Sequence, residues 1–189
     1  MGAAIKGSHI LLGVTGSIAA FKAADLTAQL VKGGADVAVI MTESARRFVA
    51  PLTFETLSRR PVITSMWERT QFIEPAHVDL SDWADLLVVA PASATFLAKL
   101  AHGLADDMLS CTAITVKQPP VIAPAMNVNM YNHPAVQANI KVLKERGCAF
   151  VGPVEGRLAS GLVAMGRLSP MEDIIKGIED RLKAAGRNQ

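Results

Sequence analysis

The sequence predicts a single-domain α/β fold, a doubly wound parallel sheet with helices on both faces. Short β-branched apolar runs alternate with segments of helical periodicity along the whole chain. The length, 189 residues, suits one domain with a substantial core. Half of the residues are hydrophobic and only 19% are charged. Such a composition suits a sheet covered on both faces, with further apolar surface covered by other subunits.

Residues 10–14 (ILLGV) form the first expected strand, which breaks at Thr15-Gly16-Ser17. From 17 to 32 the apolar residues recur at helical spacing, and Gly33-Gly34 closes the helix as C-terminal glycines do. Residues 36–41 (DVAVIM) read as the second strand, with 85–90 (DLLVVA) and 121–125 (VIAPA) as the next two. Residues 149–151 are a weaker strand. Helices are expected over 94–102, 107–116, 134–146 and 169–185. Residues 155–169, with Gly156, Gly161 and Gly166, read as a long mobile loop, and such loops usually carry function. The whole chain, 1–189, is expected to be one domain.

Several function classes are disfavoured. No stretch supplies the roughly 20 uninterrupted apolar residues of a membrane span, and the N-terminal run reads as a strand and turn instead of a signal peptide. A net charge of +2 without a long basic run argues against nucleic acid as partner. The two cysteines, Cys111 and Cys148, have no paired or metal-like spacing, which suits a reduced, cytoplasmic protein without a metal site.

The turn Gly13-Val14-Thr15-Gly16-Ser17 joins the first strand to the first helix. Helix N-termini present free N–H groups and partial positive charge, and glycine lets a phosphate approach the backbone. Ser17 is placed to be both N-cap and phosphate donor. A tight turn that binds nothing has the same local sequence. No Gly-Lys-Ser/Thr follows, so the turn is not a P-loop. Gly13, Gly16 and Ala19 also fit a dinucleotide fingerprint poorly, with Glu43 as the only acidic candidate after the second strand, so a mononucleotide is the better reading.

Three further segments stand in order. His77-Val78-Asp79-Leu80 precedes Trp83-Ala84-Asp85 and the turn Ala90-Pro91-Ala92-Ser93-Ala94-Thr95; next comes Pro124-Ala125-Met126-Asn127-Val128-Asn129-Met130-Tyr131; last comes Gly156-Arg157-Leu158-Ala159-Ser160-Gly161 with Gly166-Arg167-Leu168. Together with the first turn, and over about residues 10–170, the chain closely resembles the homo-oligomeric flavin-containing cysteine decarboxylases, most nearly the phosphopantothenoylcysteine decarboxylases. The resemblance implies a flavodoxin-like (Rossmann-like) fold binding FMN. Gly13, Thr15, Gly16 and Ser17 would contact the cofactor, its phosphate near Gly16 and Ser17, and Ser44, Ser93, Ala94 and Thr95 would add further contacts. It also implies flavin sites at contacts between subunits of a homotrimer, with dodecamers as a higher assembly.

The activity so implied is decarboxylation of 4'-phosphopantothenoylcysteine, a phosphorylated cysteine amide, to 4'-phosphopantetheine in coenzyme A biosynthesis. Carboxylate on saturated carbon leaves badly; oxidising the cysteine side chain to a thioaldehyde puts C=S β to it, and the cofactor carries that step. His77 matches the family's active-site histidine and would handle the proton. Asn127 matches the asparagine that holds the substrate carboxylate. Met130, Ala159, Gly161 and Arg167 would complete the substrate pocket. Read alone, His77 is a surface histidine and Asn127 a helix N-cap.

Ser160 departs from the family, whose loop carries Leu-Ala-Cys-Gly with a cysteine that serves the last step. A serine hydroxyl is a far weaker acid than a thiol of pKa about 8.5, so reduction of the ene-thiol is expected to falter. Three explanations stay open: a substitution introduced as a trap, an oxidative decarboxylase of peptide C-terminal cysteine that stops at the ene-thiol, or an FMN-binding regulatory protein without activity. The loop pattern favours coenzyme A biosynthesis. Bifunctional relatives continue past the point matching Leu182 into a synthetase domain, so the chain reads as a standalone decarboxylase or an excised domain.

Overall fold

The computed structural model describes residues 4–67, 76–157 and 161–186. Strand β1 (His9–Val14) leads into α1 (Ala20–Lys32) and β2 (Asp36–Met41). A 3₁₀ turn at Ala45–Arg47 and α2 (Pro51–Ser58) follow, then α3 (Ala76–Trp83), β3 (Leu86–Ala92), α4 (Ala94–His102) and α5 (Met108–Thr115). The chain continues through β4 (Val121–Pro124), α6 (Val128–Asn132), α7 (Pro134–Glu145) and β5 (Ala149–Phe150). It ends with β6 (Val154–Arg157), β7 (Val163–Arg167) and α8 (Met171–Gly186).

Five parallel strands form one sheet in the order β2-β1-β3-β4-β5. Successive side chains of a strand point to opposite faces, so a sheet covered on both faces needs apolar residues at every position. In β1, Ile10 and Leu12 enter the core that α1 and α8 cover, whereas Leu11 enters the core under α3, α4, α5 and α7. Helix α1 buries Ala20, Ala23, Leu26 and Leu30 on one stripe. Leu26 and Leu30 are fully buried, and each contributes about 1.5–3 kcal/mol by leaving water. The helix ends as expected: Gly34 has φ +90, its N–H bonds to Val31 O, and Ala35 N–H bonds to Leu30 O, a Schellman close.

This strand order has a switch point. The chain leaves β1 to one side to reach β2, then crosses to the other side for β3, opening a crevice beyond the C-terminal ends of β1 and β3.

Two expectations are corrected. Residues 155–169 are not a plain loop: β6 and β7 form an antiparallel ribbon flanking residues 158–162. Ser17 is not the cap of α1. That position is Ala19, and Ser17 Oγ instead accepts the Ala19 N–H at 3.2 Å. Helices α2, α3 and α6 were not among the expected elements. No helix among the described residues is long and apolar enough to cross a membrane.

Candidate active site

A cavity of about 750 Å³ opens at the switch point, within the usual range for small-molecule sites. Three parts of the chain build it. The turn after β1 supplies Gly16, Ser17 and Ile18, and α1 adds Phe21 and Lys22. The start of α4 supplies Ser93 and Ala94. Ala125, Met126, Asn127 and Met130 face Arg157, Gly166, Arg167 and Leu168 of the ribbon and the segment after it.

Thr15 ties the first two parts together. It is buried, and its hydroxyl donates to Pro91 O at 2.7 Å while accepting the Ser93 N–H at 2.9 Å. Both its hydrogen-bonding roles are thus spent on positioning. Ser93 caps α4, its Oγ accepting from Phe96 N–H at 3.3 Å. The N–H groups of Gly16, Ser17 and Ile18 have no partner among the described residues. The first turn of α4 leaves its leading N–H groups free of intrahelical bonds as well. Unpaired donors from two helix starts thus line one crevice, an arrangement whose partial positive charge suits an anion.

The glycine at 16 has a local cause: a Cβ there would lie 2.5 Å from Ser44 Cβ. The loops after β1 and β2 touch at this point, so Ser44 shapes the turn without lining the cavity. Gly13 lies within β1, where a Cβ would run into Leu109 of α5. It serves packing beneath the site. Thr95 is exposed and outside the lining.

Asn127 caps α6, its Oδ1 accepting the Asn129 N–H at 2.8 Å. With the oxygen so engaged, its amide N–H groups remain without a partner among the described residues, as a carboxylate-binding donor requires. Cap and ligand roles are compatible in one side chain. Gly166 docks the ribbon on this segment: Met126 N–H donates to Gly166 O at 3.0 Å, and a Cβ at Gly166, where φ is +133, would strike Met126 O. Arg167 is carried to the cavity by that junction.

His77 is elsewhere. It lies half-buried on α3, which packs into the opposite core through Ala76 and Leu80, and it does not line the cavity of its own chain. Two residues on, Asp79 Oδ2 is buried without a hydrogen-bond partner. Gly161 is exposed at the end of the ribbon with φ +85, and Ala159 and Ser160 lie outside the described residues. Cys111 and Cys148 are partly buried, and burial pushes both thiols above their ordinary range, which disfavours the thiolate. No group of three or more metal-ligating side chains occurs among the described residues.

The sequence did not single out Lys22 or Arg157. Burial, with the charge of Arg167 nearby, lowers the Lys22 pKa from its ordinary value. The signal available was a lysine one turn into the helix that follows the glycine turn.

The flavoprotein family matches residues 2–183, almost the whole chain. The chain belongs to this family. It is 52% identical over 172 residues to the coenzyme A biosynthesis bifunctional protein CoaBC of Bacillus subtilis, covering 91% of this chain and 42% of that protein. The chain therefore spans under half the length of that relative. A probable phosphopantothenoylcysteine decarboxylase of Streptococcus mutans is 44% identical over 175 residues, covering 92% of this chain and 98% of its own length. Among solved structures, the FMN-dependent cysteine decarboxylase SpaF superposes with a TM-score of 0.83 at 35% identity, covering 96% of this chain and 99% of that one. A cysteine-to-serine mutant of PPC decarboxylase complexed with pantothenoylaminoethenethiol gives 0.79 at 30% identity, covering 95% and 99%.

Proposed function

We propose that the chain is an FMN-dependent decarboxylase that converts 4'-phosphopantothenoylcysteine to 4'-phosphopantetheine in coenzyme A biosynthesis. The observation that carries this reading is the switch-point cavity, which gathers Gly16, Ser17, Ser93, Ala94, Asn127 and Met130 from three parts of the chain. The full-length likeness to the S. mutans protein supports the substrate.

The residues fit FMN. Unpaired N–H groups at Gly16, Ser17 and Ile18 suit its phosphate, with Gly16 leaving the backbone bare. Exposed Ile18, Phe21 and Met130 offer apolar surface to a ring system. Bound FMN supplies the oxidation of the substrate CH₂–SH to C=S, from which carbon dioxide leaves with its electron pair taken up towards sulfur, and it returns the hydride at the end.

Asn127 donates its amide N–H groups to the substrate carboxylate and orients it for departure. Thr15 fixes the two turns that hold the cofactor. His77 accepts the proton released in the oxidative step. Since it lies off the cavity of its own chain, it acts at the cavity of a neighbouring copy in a homotrimer, which can assemble further into a dodecamer. The exposed apolar rim of Ile18, Phe21 and Met130 supports such a contact. The protein works in the cytoplasm. Ser160 is a poor acid for the final protonation, so the ene-thiol accumulates.

A second reading, oxidative decarboxylation of a peptide's C-terminal cysteine, is favoured by Ser160 in place of a loop thiol. Incubating the FMN-loaded protein with phosphopantothenoylcysteine and with a cysteine-terminated peptide tests both. Carbon dioxide release from the first substrate supports the main reading; release from the peptide alone replaces it.

A further inference from the structure

Three cations share the wall of the switch-point cavity: Lys22 of α1, Arg157 of β6 and Arg167 of β7. Among the described residues no Asp or Glu lines this cavity, and none of the three cations forms an ion pair. The contrast with the other end of the sheet is sharp. There a cavity of about 430 Å³ mixes Lys6 and Lys117 with Asp82 and Asp85, and Lys117 meets Asp82 at 2.8 Å.

Like charges gathered without a counter-charge repel, and the partial burial of Lys22 strengthens the effect at that residue, while Arg157 and Arg167 are exposed. Arg167 is also held in place. Its side chain lies across Gly156, where a Cβ would come within 2.7 Å of Arg167 Cδ. A positioned, unneutralised cluster in a concave wall is suited to a multiply charged anion, which gains charge-assisted hydrogen bonds there.

We infer that Lys22, Arg157 and Arg167 form a phosphate-monoester subsite that holds the 4'-phosphate of the substrate. The inference rests on the decarboxylase reading. Two phosphates could reach this cavity, one on the cofactor and one on the substrate. The cofactor phosphate has the neutral N–H donors of Gly16, Ser17 and Ile18 at the strand ends. Lys22 stands on α1, one turn after Ile18, and Arg157 and Arg167 stand on the ribbon that docks beside Asn127. They select phosphorylated over unphosphorylated substrate.

Equilibrium binding to the FMN-loaded protein tests this with 4'-phosphopantetheine and pantetheine, which differ in the phosphate and both lack the substrate carboxylate. The phosphorylated compound is expected to bind about tenfold or more tightly, with the gap narrowing as salt rises. Lys22→Gln and Arg167→Gln should shrink the gap, and Lys22→Arg should keep most of it. Equal binding of the two compounds to the unchanged protein overturns the inference. So does an equal loss for both compounds in the variants. A parallel titration of apoprotein with FMN and riboflavin separates the two phosphates: if the variants lose preference for FMN over riboflavin, the cations serve the cofactor and the inference fails. Carbon dioxide release by the unchanged protein tests the underlying reading separately, because binding needs no turnover.

Discussion

The Thr15 hydroxyl accepts the Ser93 N–H at 2.9 Å across the gap between the ends of β1 and β3. Its proton goes to Pro91 O at 2.7 Å. This buried side chain therefore sets the spacing of the two turns that frame the cavity. Thr15→Val keeps the shape and removes both side-chain bonds, leaving the Ser93 N–H unsatisfied, while Pro91 O keeps the Thr15 backbone N–H at 3.3 Å. A loss of about 1–3 kcal/mol in stability is expected, with weaker FMN binding, whereas Thr15→Ser should retain most of both. Urea unfolding and cofactor titration measure the two effects. Unchanged values for Thr15→Val would remove this residue from the account.

Gly16 and Ser44 make the second constraint. With a Cβ at 16 only 2.5 Å from Ser44 Cβ, Gly16→Ala must push the loops after β1 and β2 apart. FMN affinity should fall, and adding Ser44→Gly should recover part of it, because the double variant removes the closest contact. A double variant no better than the single one would locate the damage in the turn itself.

Much of this was legible in the sequence, and the reasons are local. The runs that became β1 to β4 are apolar at successive positions, a pattern that a two-faced parallel sheet imposes. Gly33-Gly34 marked the end of α1 because a left-handed residue was needed there. The ribbon was hidden, since it stands at the surface with Val163 and Leu162 exposed and glycine at 156 and 166, so no apolar–polar alternation in the sequence marks its strands although burial alternates along them. Ser17 misled because a serine beside a helix start resembles a cap whether or not the helix begins there. Lys22 and Arg157 went unrecognised as partners because only the docking of Gly166 on Met126 brings the ribbon to α1 and the turn after β1.

Asp36 and Arg60 give a pH-dependent prediction away from the site. Arg60 Nε and Nη2 donate to the two Asp36 carboxylate oxygens at 2.6 Å each. Arg60 also lies over the Trp83 ring, 4.8 Å from its centroid. The hydrogen bond from Arg60, with its charge, lowers the Asp36 pKa below its usual 3.8. A depressed carboxylate pKa contributes stability that is present above the unfolded value and is lost as pH falls through the folded one. The pair is partly exposed, so the effect is modest. Asp36→Asn should be less stable than the unchanged protein at neutral pH, and the difference should close only below about pH 4. Thermal melts across that range check it; a gap independent of pH would contradict it.

His77 and Asn127 should fail in different ways. His77→Asn should keep FMN and lose about 10² to 10⁴ in decarboxylation rate. If His77 acts on a neighbouring copy's cavity, mixing this variant with an Asn127→Asp variant should recover some activity, since mixed trimers contain intact sites. Asn127→Asp should weaken substrate binding by setting one carboxylate against another. Turnover by His77→Asn at the original rate would make the histidine a bystander.

The most direct test is mass spectrometry of the products formed from phosphopantothenoylcysteine, run beside a Ser160→Cys variant. The protein as it stands is predicted to release carbon dioxide and yield the ene-thiol, because the proposed function gives the oxidative half to His77, Asn127 and the cofactor cradle, and serine is a weak acid. Ser160→Cys is predicted to yield the saturated thiol, phosphopantetheine. Phosphopantetheine made at an equal rate by both proteins would contradict the role given to position 160. Absence of carbon dioxide release from this substrate by either protein would contradict the decarboxylase reading itself.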